Sequence, residues 1–120
     1  MLFMTWGHRS GDSALTTLYP NYTVMQNRIE QGYIDYRDNI SLSTSAEVYI
    51  APVGLAFKHI HDSIVGSGGD PLDSTSTFYQ LYDGDGTHPS TSGSYLAACV
   101  LFTALTLSLI HISEPTRLLA

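Results

Sequence analysis

Apolar and polar positions alternate along this chain in blocks of different period. Leu2 to Trp6 is a short apolar run dense in β-formers, read as a strand. From Thr23 the period lengthens: Met25, Ile29, Tyr33 and Tyr36 recur at helical spacing. Thr23-Val24-Met25-Gln26 fits the Ser/Thr-x-x-Glu/Gln box that caps a helix start. The spacing predicts an amphipathic helix over 23–39, its tyrosines facing the core. Val48 to Val53 reads as a second strand, stopped near Pro52, whose ring removes a ladder donor, with a helix following over about 55–65. Gly66 to Thr77, rich in Gly, Ser, Thr and Asp, reads as a flexible loop. A last apolar helix follows His88-Pro89-Ser90, with Ser90 or Ser92 able to cap it. There are no internal repeats. Strands alternating with helices imply an α/β class with a parallel sheet.

The candidate chemistry lies in Asp85-Gly86-Thr87-His88-Pro89-Ser90. A histidine acting as general base needs one ring nitrogen facing the nucleophile and the other held by an acceptor that fixes its tautomer. Asp85, three residues upstream across a flexible glycine, can supply that acceptor, and Pro89 stiffens the segment that follows. In an open parallel sheet, sites form beyond the carboxyl ends of the strands, where this loop is expected. The same spacing also occurs in ordinary polar turns.

The surroundings of this box resemble the SGNH hydrolase superfamily, the GDSL-like esterases and lipases. The resemblance is carried by Thr5-Trp6-Gly7 after an apolar strand, Gly11-Asp12, Tyr19-Pro20, Met25-Gln26, Ala51-Pro52-Val53-Gly54, and His88-Pro89-Ser90 through Gly93-Ser94-Tyr95-Leu96-Ala97-Ala98-Cys99. It covers most of residues 2 to 106 and implies the C-terminal part of a three-layer α/β/α sandwich of flavodoxin-like type. His88 would then be the general base of a serine ester hydrolase and Asp85 its orienting acid. The family's nucleophile serine, and the Gly and Asn of its oxyanion hole, would belong to an N-terminal part that has no counterpart here. A small-molecule or carbohydrate ester would be the substrate, with no metal or organic cofactor. The alternative is a non-catalytic module of the same fold, one that recognises carbohydrate.

Gly11-Asp12-Ser13-Ala14-Leu15 nearly spells the family's nucleophile motif. Too few residues separate Ser13 from Asp85 to hold the elements that should carry two oxyanion donors, so the segment is read as a turn-rich loop. Asp83-Gly84-Asp85-Gly86-Thr87 imitates the start of a calcium loop, but Ser94 stands where a Glu is needed and Pro89 interrupts it. His59 and His61, two apart on a helix, do not share a face for a metal. Trp6 is read as a packing residue, with a place at a substrate pocket as the alternative.

Five Lys and Arg against eleven Asp and Glu give a formal charge of −6, with Arg9, Arg28, Arg37 and Lys58 scattered. Nucleic acid is therefore not an expected partner, since phosphate binding needs a concentrated positive surface. The single Cys99 is read as a small buried hydrophobe. Asn21-Tyr22-Thr23 and Asn39-Ile40-Ser41 are glycosylation sequons, which carry meaning only in a secretory chain. No signal peptide shows at the N-terminus, and Met1 is compatible with an internal methionine.

Leu107-Ser108-Leu109-Ile110-His111-Ile112-Ser113-Glu114-Pro115-Thr116-Arg117 reads like the translation of a transposase-type sequencing adapter. Residues 1–106 are accordingly expected to form the partial domain and 107–120 a non-native tail, in which His111 and Glu114 have no role. Cut at Thr106, the last apolar stretch is too short for a membrane span, and none is expected.

Overall fold

The structure, a computed structural model, describes residues 1–113, with side chains described through Leu109. It is a mixed α/β arrangement. β1 (Leu2–Phe3) leads to α1 (Tyr22–Ser41), β2 (Ile50–Ala51), α2 (Val53–Gly66), a single 3-10 turn at Tyr79–Leu81 and α3 (Thr91–Ser113). β1 and β2 pair in parallel, Leu2 opposite Ile50 and Phe3 opposite Ala51. A parallel pair needs a crossover, and α1 provides it. Hydrogen bonding runs slightly past the strands, with Leu2 N donating to Tyr49 O at 2.8 Å and Met4 N to Ala51 O at 3.0 Å.

Both strands are shorter than the apolar runs suggest. The second is cut because Pro52 occupies the cap position of α2, which starts at Val53, two residues earlier than expected. The early start depends on Gly54. A Cβ there would stand 2.1 Å from Thr5 O and 2.3 Å from Gln26 Nε2, so only glycine lets α2 abut the end of β1.

α1 begins at Tyr22, not Thr23, and its cap is Asn21, whose side chain accepts from Val24 N at 2.9 Å. Gln26 does not close a capping box. It is fully buried, accepting from Gly7 N at 2.7 Å and donating to Thr5 O at 3.4 Å. The helix buries Tyr22, Met25 and Gln26, whereas Tyr33 is only half-buried and Tyr36 is 63% exposed. The expectation that its tyrosines face the core therefore fails. At 1.5 Å per residue a 20-residue helix is about 30 Å long, and only its first two turns bury side chains.

α2 packs against both α1 and α3 and supplies the centre of the core. Val53 and Phe57 of α2 are fully buried with Phe78, alongside Tyr22, Leu81, Tyr82 and Ala97. Trp6 stacks on Phe57 at 5.2 Å between centroids, while Tyr22 and Tyr82 meet Phe78 edge-on at 4.6 and 5.4 Å. Such pairs add about 0.5–1.5 kcal/mol each beyond their buried area. The 66–77 segment is turned by Asp70 and Asp73, which accept from Leu72 N and Thr75 N. Ser76 Oγ accepts from Tyr79 N at 3.0 Å where the 3-10 turn that carries Leu81 into the core begins.

α3 is capped by Ser90, whose Oγ accepts from Gly93 N at 3.2 Å, and runs unbroken through Thr106 to Ser113. Thr91–Leu109 is long and apolar enough to cross a bilayer by length and composition, a test that the core helix of a soluble protein also passes. Among its residues whose burial is described, Gly93 and Ala97 near its start are buried, whereas Tyr95, Phe102, Leu105, Leu107 and Leu109 are exposed. Cys99 is also exposed, contrary to the reading of it as a buried hydrophobe. In a helix apolar all round, the sequence does not mark which face the core will take. Residues 114–120 of the suspected tail, Glu114 among them, lie outside the described residues, as does the His111 side chain.

Candidate functional site

The loop that carries Asp85 and His88 is a closed turn. Tyr82 and Pro89 form an antiparallel bridge, Asp83 N donates to His88 O at 2.8 Å, and Gly86 N donates to Asp83 O at 2.9 Å. Gly86 sits at φ +68°, a left-handed conformation that favours glycine and sends the chain back toward His88. Asp85 then divides its carboxylate between two tasks. Its Oδ1 accepts from Thr87 N at 2.9 Å and from His88 N at 3.0 Å, an Asx-type turn. That pins the group and presents Oδ2 to His88 Nδ1 at 2.5 Å.

The protonation states follow from this geometry. The His88 hydrogen bond, and after it the Thr87 and His88 amides, hold the Asp85 carboxyl well below the usual carboxylate range. Asp85 in turn raises the imidazole of His88 above its ordinary 6.5, with a smaller contribution from Asp83. An ionised carboxylate can only accept, so the neutral ring carries its hydrogen on Nδ1 and leaves Nε2 as the base. The His88 side chain is 74% exposed, accessible to a reacting group from solvent or from another segment.

The loop is moored to the segment leaving β1. Trp6 Nε1 donates to Thr87 O at 3.0 Å, Arg9 N to Gly86 O at 2.8 Å, and the Tyr82 hydroxyl to Gly7 O at 2.6 Å. Gln26 fixes the same segment from α1 through Gly7 N. The Asp85–His88 pair thus stands beyond the carboxyl end of β1, where open parallel sheets form their sites. Burial pushes the Tyr82 phenol above its ordinary range, so it remains a hydroxyl donor in this contact.

A polar cavity of about 330 Å³ lies beside the turn, lined by His8, Arg9, Ser10, Gly11, Asp12, Ser13, Asp85, Gly86 and Thr87. It brings Ser13 and Asp85 to one concavity, but His88 is not part of the lining. Asp12 spends Oδ1 on Ala14 N at 2.9 Å, shaping the loop around Ser13. The imitation calcium loop is used otherwise, since the Asp85 oxygens meet backbone donors and His88. His59 is exposed, while His61 turns inward beside Tyr22 and Phe78 and meets Asp62 at 2.9 Å. Among the described residues no group of three or more His, Cys, Asp or Glu is arranged to hold a metal ion. Trp6 both packs and moors the loop.

Sequence reasoning missed Arg9, read as a scattered charge, and the role of Gln26, read as half of a capping box. The only local signal was an uncommon cation two residues past Gly7, in the segment that leaves β1. Comparison of the chain with protein-family models, with curated proteins and with solved structures finds no match in any of the three.

Proposed function

We propose that this chain is the C-terminal portion of a serine ester hydrolase of the SGNH type, carrying the acid and base of the triad. The observation that supports the reading best is the Asp85–His88 contact, with Asp85 fixed from behind by two amides. In this reading His88 Nε2 takes the proton from a serine hydroxyl contributed by a segment outside these residues. That oxygen attacks the ester carbonyl, and the imidazolium then gives its proton to the leaving alcohol. Asp85 holds the ring and stabilises the imidazolium without accepting the proton.

The same reading extends the sheet to a three-layer α/β/α sandwich. Leu2 and Met4 direct their peptide groups to β2, so those of Phe3 point to the opposite edge, where a further strand would pair. A second reading, a non-catalytic module that recognises carbohydrate, draws on the polar cavity of about 330 Å³ with its serines and acids. The two part at the source transcript. An in-frame upstream segment with a strand-terminal serine, followed by Gly and Asn donors, is the result expected for the hydrolase. An upstream segment without that serine would leave the binding module.

A further inference from the structure

We propose that Arg9 is a positioning residue for Asp85 and His88, clasping the turn in the form in which the two side chains meet; the inference rests on reading that pair as the general base of a hydrolase. Arg9 is only 7% exposed, unusual for a cation. Its ion partner is not a carboxylate among the described residues. Instead Nη2 donates to three carbonyl oxygens of the turn and its approach: Asp83 O at 3.0 Å, Tyr79 O at 3.1 Å and Tyr82 O at 3.4 Å. The guanidinium carbon lies 3.6 Å from the centroid of the Tyr79 ring. The backbone N–H of the same residue holds Gly86 O. Arg9 therefore grips the chain on both sides of Asp85, by side chain at 83 and by main chain at 86.

The guanidinium meets these carbonyls through Nη2 while its plane lies on the Tyr79 ring; a lysine ammonium can donate to carbonyls but has no plane to stack. The burial also leaves Nε without a partner among the described residues, a cost that the mooring must offset. The exposed Asp85–His88 pair has no buried wall of its own to hold it. Its geometry depends on how the turn is held from beneath, and Arg9 is the residue beneath it that reaches the most points.

The test is a histidine titration by nitrogen-detected NMR on the full chain, with the His88 signal assigned by its loss in His88→Gln. In Arg9→Met the His88 midpoint is expected to fall by about half a pH unit or more toward the ordinary histidine value. Removing a nearby positive charge would by itself move the midpoint upward, so the direction separates positioning from simple electrostatics. Arg9→Lys, which keeps the charge and one donor nitrogen, is expected to fall between wild type and Arg9→Met. It also serves if Arg9→Met does not fold. Wild-type midpoints in every folded variant would overturn the proposal, as would failure of both variants to fold, which would make Arg9 a residue of the core alone. No substrate enters the titration. A shifted midpoint together with no esterase activity in the protein encoded by the source transcript would sink the hydrolase reading and keep the positioning role, and unshifted midpoints with esterase activity in that protein would do the opposite.

Discussion

The turn at residues 82–90 and the outer half of α3 are opposite solutions to the same problem of satisfying a surface. In the turn, the polar groups that fix its shape are met within the chain: Asp85 by two amides and His88, Gly86 O by Arg9 N, Thr87 O by the Trp6 indole. Along the outer half of α3 the large apolar side chains from Phe102 to Leu109 are exposed or half-buried. Phe102 is 71% exposed, and a groove of about 670 Å³ runs between the helix and β2, lined among others by Tyr49, Ile50, Val100 and Leu107. Contiguous apolar surface of this kind is unusual on a soluble monomer. The contrast teaches that the Asp85–His88 turn is held by polar contacts from residues 6–9 and 79–90, whereas α3, although it packs on α2, the 3-10 turn and β2, leaves its later apolar side chains exposed.

Changes on the two sides of this comparison should differ in size and in kind. Phe57→Ala removes the ring at the centre of the core and is expected to cost about 3–5 kcal/mol in denaturant unfolding. Asn21→Ala, which leaves Val24 N without its cap, should cost about 1 kcal/mol by the same measurement. Asp85→Asn should act through pH. A lowered Asp85 stabilises the fold above its unfolded value of 3.8, and that contribution is lost as pH falls through the native value. A raised His88 contributes fully below 6.5 and loses its contribution as pH rises through the native value. The melting-temperature difference between wild type and Asp85→Asn should therefore be widest between these two pH values and narrow on either side. Phe102→Ser is expected to change stability by no more than about 0.5 kcal/mol while reducing self-association in sedimentation. A large loss of stability there would mean that α3 is better packed than its exposure indicates.

The Asp85–His88 pair was legible in the sequence because its geometry is local. The bonds that form the Asx-type turn, with a glycine in the left-handed region, all lie within residues 83–89, although the moorings from Trp6 and Arg9 do not. The helices were legible for the same reason, to within two residues at α1. Arg9 was not, because its acceptors lie some 70 residues further along the chain, and no pattern around position 9 encodes them. Gln26 misled for a related reason: its spacing from Thr23 satisfied a local rule, but the tertiary partner Gly7 took its side chain. Tyr36 and Cys99 failed together, since periodicity marks a helix as apolar without saying how much of its length another element covers.

The measurement that tests the central claim most directly is hydrolysis of p-nitrophenyl acetate by the protein encoded by the source transcript, compared with its His88→Ala and Ser13→Ala variants. The account predicts a fall in kcat/KM of about 10²–10⁴ for His88→Ala, the range for a lost general base, and an unchanged rate for Ser13→Ala. No hydrolysis by the wild type, an undiminished rate in His88→Ala, or activity abolished by Ser13→Ala would contradict it.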